Sequence, residues 1–417
     1  MKNIASLLLD RVPESRYRLL RTIGRLADKE GMTAAVVGGF VRDLFLDRPN
    51  DDIDITIEGD AVAFGKKVAR KYRSGYYSTP RFGSSTAVLH TTTIDFATAR
   101  DEAYRKPGAL PVVTPSTIDK DLPRRDFTIN SMAMDISPKN FGKLYTLPTS
   151  LSDLDAKLLR VNHDASFEED PTRMLRAVRF EQRLGLTIEP HTESLLRAAA
   201  THGALSTISG ERVMNELKLA SDEQDPSRFF SRMDDLGLLD IMLPGLGFTS
   251  NDKAFLHRTL DARELFGKQA GDRWMTCMLA LTRHLSADQA ETFSRTYRFP
   301  GLLHRQAHRL RQLPDGWWEL TPGALSLRFG HLQPPALAVL SAGSHSDLVR
   351  DYWQKWRKTR LATTAESLKE RGMGTRSAGR LLRKLLEMKR DGLLPDEQAE
   401  RAEIDRRLKH RGRRRKK

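Results

Sequence analysis

The sequence predicts an α+β protein, in which an N-terminal domain built on a mixed β-sheet with helices on one face precedes a longer all-helical part. Short β-prone runs alternate with helical segments up to about residue 145. From about residue 165 onward, strand signals fade and apolar residues recur at helical spacing, with Gly and Pro between segments. A chain of 417 residues has room for roughly two to four domains.

The composition indicates a polyanionic partner. The formal net charge is +15 and the isoelectric point is near 9.9, and nucleic acid is the commonest partner of such a chain. The single cysteine, Cys277, excludes an internal disulfide framework and a cysteine-based zinc site. No apolar run approaches the roughly 20 residues that span a bilayer. We therefore expect a cytoplasmic location and no membrane partner.

Two aspartates one residue apart are the most informative feature. Residues 52–57 alternate polar and apolar, which predicts a strand whose isoleucines face a core. Asp52 and Asp54 then share the other face, where two parallel carboxylates repel each other unless a cation lies between them. Mg²⁺ is commonly held by one or two carboxylates together with substrate phosphates. The structural alternative is a solvated strand edge.

A glycine pair upstream completes this pattern. Gly38 and Gly39 follow an apolar strand and open a predicted helix that contains Arg42. Bare backbone N–H groups at such a point favour phosphate. Asp95, on a neighbouring predicted strand, is a candidate third acid or an exposed strand residue.

A second cluster lies in residues 121–130. Arginine binds phosphate in a bidentate manner, so we expect Arg125 to contact phosphates. Asp126 and Asn130 can hydrogen-bond to ribose hydroxyls. The alternative interpretation is a polar turn that leads into the buried run 129–134.

A third cluster opens a predicted helix over 171–184. Asp170 suits the N-cap, Pro171 the first helical position, and Gly185 the residue after the end. Asp170 and Arg173 are three residues apart, so we expect their side chains on the same side. The alternative is that Asp170 only caps the helix and pairs locally with Arg173.

A carboxylate beside a guanidinium offers an acceptor and then a donor to a base edge. Cytosine and adenine present the complementary donor and acceptor, whereas guanine and uracil present the reverse. A rigid pair of Asp170 and Arg173 is therefore expected to accept CTP and ATP and to reject GTP and UTP. A good bidentate contact is worth about 1–3 kcal/mol of discrimination.

These motifs together resemble a known family. Residues 38–43 followed by 52–54 are similar to the first motif of the polymerase-beta nucleotidyltransferase superfamily, and residues 124–130 and 168–180 resemble later motifs. Within that superfamily, the motifs resemble the bacterial class II tRNA nucleotidyltransferase and poly(A) polymerase family. The resemblance covers about residues 30–220, with departures such as Ser131, where the family usually has alanine.

The resemblance implies a division of the chain into successive parts. We expect a helical lead-in, a nucleotidyltransferase head, a helical neck with the base-recognition helix, a helical body, a helical tail and a basic, disordered C-terminus. Their predicted ranges are 1–30, 31–145, 146–222, 223–320, 321–400 and 401–417.

The resemblance also implies the chemistry. Two Mg²⁺ ions on Asp52 and Asp54 would serve nucleotidyl transfer from CTP or ATP to a tRNA 3′ end without a template, with Asp95 as a third catalytic acid. The body and tail would bind the tRNA acceptor arm. The expected nucleotide-binding residues are Gly38, Gly39, Arg42, Arg125, Asp126, Asn130, Asp170, Arg173, Arg176 and Arg179.

Several alternatives stay open from the sequence. Addition of the whole CCA end and addition of the terminal A alone both fit Asp170 and Arg173, because cytosine and adenine satisfy the same pair. A poly(A) polymerase and a catalytically inactive RNA-binding relative are further possibilities. The sequence does not predict an oligomeric state.

Overall fold

The computed structural model describes residues 2–90 and 92–415, with side chains up to residue 409. The chain divides into two compact units, Met1–Glu216 and Leu217–Lys417. The division falls inside the predicted neck, and the predicted boundaries of head, neck, body and tail stay predictions.

The first unit contains a mixed seven-stranded sheet. The strands of the unit are β1 (Thr33–Val37), β2 (Ile53–Glu58), β3 (Gly75–Thr79), β4 (Ser84–Val88), β5 (Thr93–Thr98), β6 (Arg100–Ala103), β7 (Val112–Pro115), β8 (Met132–Asp135), β9 (Leu144–Thr146), β10 (Leu158–Leu159) and β11 (Thr187–Ile188). The strand order of the large sheet is β3-β4-β5-β2-β1-β8-β9. Only β2 and β5 run parallel within it.

The helices of the first unit alternate with the strands and predominate toward its C-terminal end. They are α1 (Ala5–Arg11), α2 (Glu14–Lys29), α3 (Gly39–Phe45), α4 (Ala61–Tyr72), α5 (Ile118–Asp121), α6 (Ser150–Asp155), α7 (Ser166–Glu169), α8 (Thr172–Leu184), α9 (Pro190–Thr201) and α10 (Gly210–Asp222). Helix α10 extends into the second unit.

The alternation of β2 sorts its side chains between two faces. Ile55 is 1% exposed and pairs in register with Phe96 of β5, against which Phe64 of α4 packs edge to face. The opposite face carries Asp54 and Thr56. There, α5 packs through Ile118 against the β1 residues of that face. The sheet therefore has a core face and a face that is only partly covered.

The second unit is helical in the part that the structure describes. Its further helices are α11 (Pro226–Asp235), α12 (Leu238–Met242), α13 (Ser250–Asp261), α14 (Arg273–Leu281), α15 (Ala287–Thr296), α16 (Gly301–Arg311), α17 (Pro322–Phe329), α18 (Pro334–Ser341), α19 (Ser346–Gln354), α20 (Ala365–Glu370), α21 (Thr375–Arg390) and α22 (Glu397–Arg415). The α+β fold class is confirmed.

From the sequence alone, residues 100–120 are rich in charge and proline and predict a long mobile loop, and this prediction is wrong. Strands β6 and β7 pair as an antiparallel hairpin in this segment, and α5 follows. The charged residues that suggested a loop are paired instead, because Glu102 accepts hydrogen bonds from Arg100 and Arg124. This hairpin forms a two-stranded sheet of its own.

Two terminal segments also differ from the prediction. The single helix predicted over 1–30 is two helices, because the chain is extended at Val12 and Pro13. Helix α22 occupies most of the segment 401–417 that was predicted to be disordered. Ile404, which is 1% exposed, anchors it in the core of the last helices, while Lys416 and Lys417 lie outside the described residues.

Within the described ranges, no helix is both long enough and apolar enough to cross a membrane.

Candidate active site

The partly covered face of the sheet borders a cavity of about 540 Å³ in the first unit. Twelve residues that were singled out from the sequence line it: Gly38, Gly39, Arg42, Asp52, Asp54, Arg125, Asp126, Asn130, Asp170, Arg173, Arg176 and Arg179. They come from segments up to about 140 residues apart, so the fold gathers them at one place. Asp95 is not among the lining residues.

Asp52 and Asp95 bring negative charge close to Asp54 at one edge of the cavity. Asp54 and Asp95 are register partners on the parallel strands β2 and β5. The pKa of Asp54 is raised to about 6, first by loss of hydration and then by the negative charges of Asp95 and Asp52, while Arg125 acts in the opposite direction. The Asp95 carboxylate accepts a hydrogen bond from the Thr86 hydroxyl. Negative charge is thus concentrated at Asp54.

This arrangement fits a hard divalent cation held jointly with a substrate. In the part of the chain that the structure describes, no group of three or more His, Cys, Asp or Glu side chains is placed to hold a metal alone. Mg²⁺, however, usually needs only one or two carboxylates when phosphate oxygens supply other ligands. The negative charges of Asp95 and Asp52 next to Asp54 are the observation that favours such a cation.

The backbone beside the carboxylates is shaped by a glycine. Gly38 has a φ of +68°, a conformation that side chains disfavour. A Cβ at this position would lie 3.3 Å from Nη1 of Arg125. Glycine therefore leaves open the space between the β1–α3 turn and a guanidinium.

Asp121 orients the two arginines of the second cluster. Its side chain is 1% exposed, and its Oδ1 accepts from Arg124 at 2.5 Å while its Oδ2 accepts from Arg125 at 2.7 Å. Arg125 also donates to the Thr56 hydroxyl at 3.3 Å. No role was assigned to Asp121 from the sequence, although its spacing of three and four residues to Arg124 and Arg125 was a usable signal.

Arg42, Asp126 and Asn130 form part of one buried network. Arg42 is 2% exposed and donates to Asp43 at 2.8 Å and to Oδ1 of Asn130 at 2.6 Å. Asn130 donates in turn to Asp126 at 3.0 Å. Arg42 also lines the cavity, and its predicted contact with a nucleotide stays a prediction.

Arg176 ties this network to the later helices. It donates to Asp126 at 2.6 Å and to Glu216 at 3.4 Å, and Arg179 donates to Glu216 at 3.3 Å. Burial alone would raise the pKa of Asp126, but the charge of Arg176 and hydrogen bonds from Asn130 and Arg176 hold that pKa below its usual range. Asp126 is therefore a carboxylate that stays charged in the site.

Asp170 differs in detail from its predicted placement. Helix α8 begins at Thr172, yet Asp170 still acts as a cap, because its Oδ1 accepts from the Thr172 N–H at 3.0 Å. The same oxygen accepts from Arg212 at 2.7 Å. Among the described residues, Oδ2 of Asp170 has no hydrogen-bond donor. Gly185 ends the helix in the left-handed region, as the sequence predicts.

Arg173 does not pair with Asp170. Its Nη1 donates to the Ser166 hydroxyl at 2.7 Å, and its Nη2 donates to the carbonyl of Arg124 at 2.8 Å. With 5% of its surface exposed, Arg173 is held rigidly by these two segments. Asp170 and Arg173 therefore line the same cavity through separate supports, as a fixed acceptor and a fixed donor.

Two known families match parts of the chain. The family described as the Poly A polymerase head domain matches residues 34–160, and the one described as the probable RNA and SrmB-binding site of polymerase A matches residues 185–248.

Relatives named as tRNA enzymes match much of the chain. The A-adding tRNA nucleotidyltransferase of Geobacter sulfurreducens is 38% identical over 290 residues, which are 68% of this chain and 33% of that protein. The enzyme of the same name from Halalkalibacterium halodurans is 39% identical over 259 residues, 61% of this chain and 60% of that protein. The chain thus spans about one third of the length of the first relative and three fifths of the length of the second.

Solved structures match nearly the whole chain. The Thermotoga maritima CCA-adding enzyme complexed with tRNA has a TM-score of 0.77 at 29% identity, over 98% of this chain and 99% of that one. Complexes of a CCA-adding enzyme with ATP and with CTP each have a TM-score of 0.81, also at 29% identity and with the same coverage.

The fold and the site define a nucleotidyltransferase head of the polymerase-beta type followed by a helical remainder. Residues 34–160 match the Poly A polymerase head domain family, and the chain is similar to A-adding and CCA-adding tRNA nucleotidyltransferases. Nucleotidyltransferases of this family generally use divalent metal ions.

Proposed function

We propose that this chain is an RNA 3′-end nucleotidyltransferase that adds CCA, or only the terminal A, to tRNA from CTP and ATP without a template. The observation that carries the proposal is the single cavity lined by the carboxylates of Asp52 and Asp54, by Arg125, and by the pair Asp170 and Arg173. The tRNA complex of a structural neighbour supports the same substrate class.

We assign the chemical step to the carboxylate edge of the cavity. Asp52 and Asp54 would hold two Mg²⁺ ions, with Asp95 beside Asp54 adding negative charge. When bound, these ions would supply activation of the RNA 3′-hydroxyl and stabilisation of the leaving pyrophosphate. Asp54 itself would orient the reacting groups at the wall of the cavity.

The triphosphate is assigned to the basic side of the cavity. Arg125 lies beside the open backbone at Gly38 and keeps its Nη1 close to that opening, which suits a phosphate oxygen. Gly39, in the same turn, would also contact the phosphates. Asp126 and Asn130 are held by Arg176 and Arg42, and they border the space assigned to the sugar.

Base selection is assigned to Asp170 and Arg173. The Oδ2 atom of Asp170 would accept a hydrogen bond from the exocyclic amine of adenine or cytosine. Arg173, whose guanidinium is fixed by Ser166 and by the Arg124 carbonyl, would donate to the ring nitrogen. Arg179 would support this wall through Glu216.

The assignment predicts a change in base preference for Asp170→Asn. An amide can offer a donor where the carboxylate offers only acceptors, so discrimination of ATP against UTP should fall by about 5- to 150-fold, which corresponds to about 1–3 kcal/mol. The measurement is kcat/KM for each nucleotide on one tRNA. Asp164→Asn is the matched control, because Asp164 is 75% exposed and pairs with His191. An unchanged ATP-to-UTP ratio in Asp170→Asn would contradict the assignment.

We further propose a cytoplasmic location. Cys277, the only cysteine in the sequence, is a buried free thiol, which is compatible with a reducing compartment.

The activity itself is tested by incorporation of nucleotides onto tRNA transcripts that lack part or all of CCA.

A further inference from the structure

The hairpin of β6 and β7 brings an aromatic side chain to the cavity. Side chains alternate along β6, so Arg100, Glu102 and Tyr104 are half-buried on the cavity side while the residues between them are exposed. All three line the cavity. Tyr104 is the first residue after β6 ends, at the edge of the hairpin loop.

The hydroxyl of Tyr104 already has a partner within the protein. It donates to Glu102 Oε2 at 2.8 Å, and Glu102 is fixed by Arg100 at 2.9 Å and Arg124 at 2.8 Å. The carbonyl of Arg124 is also the group that accepts from Arg173. One continuous network therefore connects the tyrosine to the arginine assigned to base selection, and the aromatic ring is the part of Tyr104 left for a ligand.

Other aromatic residues of the cavity are less available. Phe40 is 2% exposed and Phe180 is 7% exposed, and guanidinium groups cover the Phe180 ring at about 5 Å. Phe82 is placed where β6 begins, since its carbonyl accepts from Arg100, so it lies toward the opposite end of that strand from Tyr104.

The charges around Tyr104 place it near the base-selecting pair. Its pKa is raised mainly by burial and next by the negative charge of Glu102. The positive charge of Arg173 lowers this pKa, and the negative charge of Asp170 raises it further. Both groups assigned to base selection are therefore within electrostatic reach of the tyrosine.

The tip of the hairpin is anchored to the same region. The Gly108 N–H donates to the carbonyl of Glu168 at 3.1 Å. Arg212 donates to the Gly108 carbonyl at 3.2 Å and to Asp170 at 2.7 Å. A Cβ at Gly108 would come within 2.2 Å of the Thr207 hydroxyl oxygen. The loop is thus held at a fixed distance from Asp170, and Tyr104 with it.

We propose that the ring of Tyr104 packs against the base of the bound nucleoside triphosphate and forms the wall of the base pocket next to Asp170 and Arg173. The inference rests on the proposed function, since it concerns the nucleotide of the same site. Stacking of a base on an aromatic side chain is worth about 1–3 kcal/mol, which supplies affinity that hydrogen bonds to the base edge do not.

The test separates the base from the rest of the nucleotide. Binding of ATP and of ribose 5-triphosphate, which has no base, is measured by titration calorimetry in Mg²⁺ for the full chain, Tyr104→Ala and Tyr104→Phe. Tyr104→Ala should weaken ATP binding by about tenfold and leave ribose 5-triphosphate unchanged. Tyr104→Phe, which keeps the ring, should bind ATP within about twofold of the parent chain. Tyr77→Ala, at a position that is 68% exposed and outside the cavity, is the control.

Three results would overturn the inference: ATP affinity kept by Tyr104→Ala, an equal loss for ribose 5-triphosphate, or a loss in Tyr104→Phe as large as in Tyr104→Ala. Extension of tRNA by the parent chain is measured in parallel. If the parent chain extends tRNA but Tyr104→Ala binds ATP as the parent does, only the inference about Tyr104 is refuted. If Tyr104→Ala loses ATP affinity as expected but the parent chain does not extend tRNA, only the proposed activity is refuted.

Discussion

Asp54→Asn is expected to lower nucleotide incorporation into tRNA by about a thousandfold or more, which corresponds to about 4 kcal/mol of activation barrier. The amide has almost the same shape as the carboxylate but no charge, so the pair with Asp52 could no longer hold Mg²⁺ tightly. Nucleotide binding should remain measurable, because Arg125, Asp170 and Arg173 are untouched. Incorporation in a single turnover and ATP binding are the two measurements.

Asp51→Asn is the matched control for this loss. Asp51 is the neighbour of Asp52, its side chain is 88% exposed, and it pairs at 2.5 Å with Arg16. It should incorporate nucleotides at the rate of the parent chain. Normal turnover by Asp54→Asn would show that this carboxylate does not take part in the chemical step.

Asp121→Ala is expected to destabilise the first unit by about 3 kcal/mol, in the range for removing one partner of a buried ion pair. The substitution leaves Arg124 and Arg125 without their shared carboxylate, and their side chains are only 17% and 19% exposed. Nucleotide binding should weaken as well, since Arg125 loses its orientation beside Gly38. Urea unfolding followed by circular dichroism measures the free energy of unfolding, and calorimetry measures ATP binding.

The stabilisation by Asp121 should also depend on pH. Burial would raise the pKa of Asp121, but Arg125 and Arg124 hold it below the ordinary value of 3.8. A carboxylate whose pKa is lowered by folding stabilises the protein fully above its unfolded-state pKa. This stabilisation is lost as the pH falls through the folded-state pKa. The difference in the free energy of unfolding between the parent chain and Asp121→Ala should therefore be largest at pH 7 and shrink below about pH 4.

Asp119→Asn is the control for this prediction, because Asp119 lies on the same short helix and is exposed. Its unfolding midpoint should match that of the parent chain. Equal stability of Asp121→Ala and the parent at pH 7 would mean that the two arginines find other partners at no cost.

Local patterns predicted the parts of the fold that depend on near neighbours. Residues 52–57 alternate in polarity, and their isoleucines are buried as expected, with Ile57 fully buried. Gly185 ends α8 at a φ of +67°, because a left-handed helix end favours glycine. In both cases the determining contacts lie within a few residues of the chain.

Long-range pairing was not predictable in the same way. Arg42 and Asn130 are 88 residues apart, and no local pattern predicts the hydrogen bond between them. Charged residues at β6 suggested a loop, since strands are rarely so polar, but Arg124 supplies the partner that Glu102 needs. The C-terminal helix forms because Ile404 reaches a core built by earlier helices. These results depend on the assembled fold rather than on local propensity.

We propose that the protein extends tRNA 3′ ends without a template, and nucleotide incorporation with purified protein and Mg²⁺ is the test of this activity. Three transcripts of one tRNA, ending at the discriminator base, at C and at CC, are each offered CTP, ATP or both. We expect either completion of all three transcripts to CCA or addition of a single A to the CC form alone. Long A tracts would favour a poly(A) polymerase instead, and no incorporation on any transcript would contradict the catalytic account.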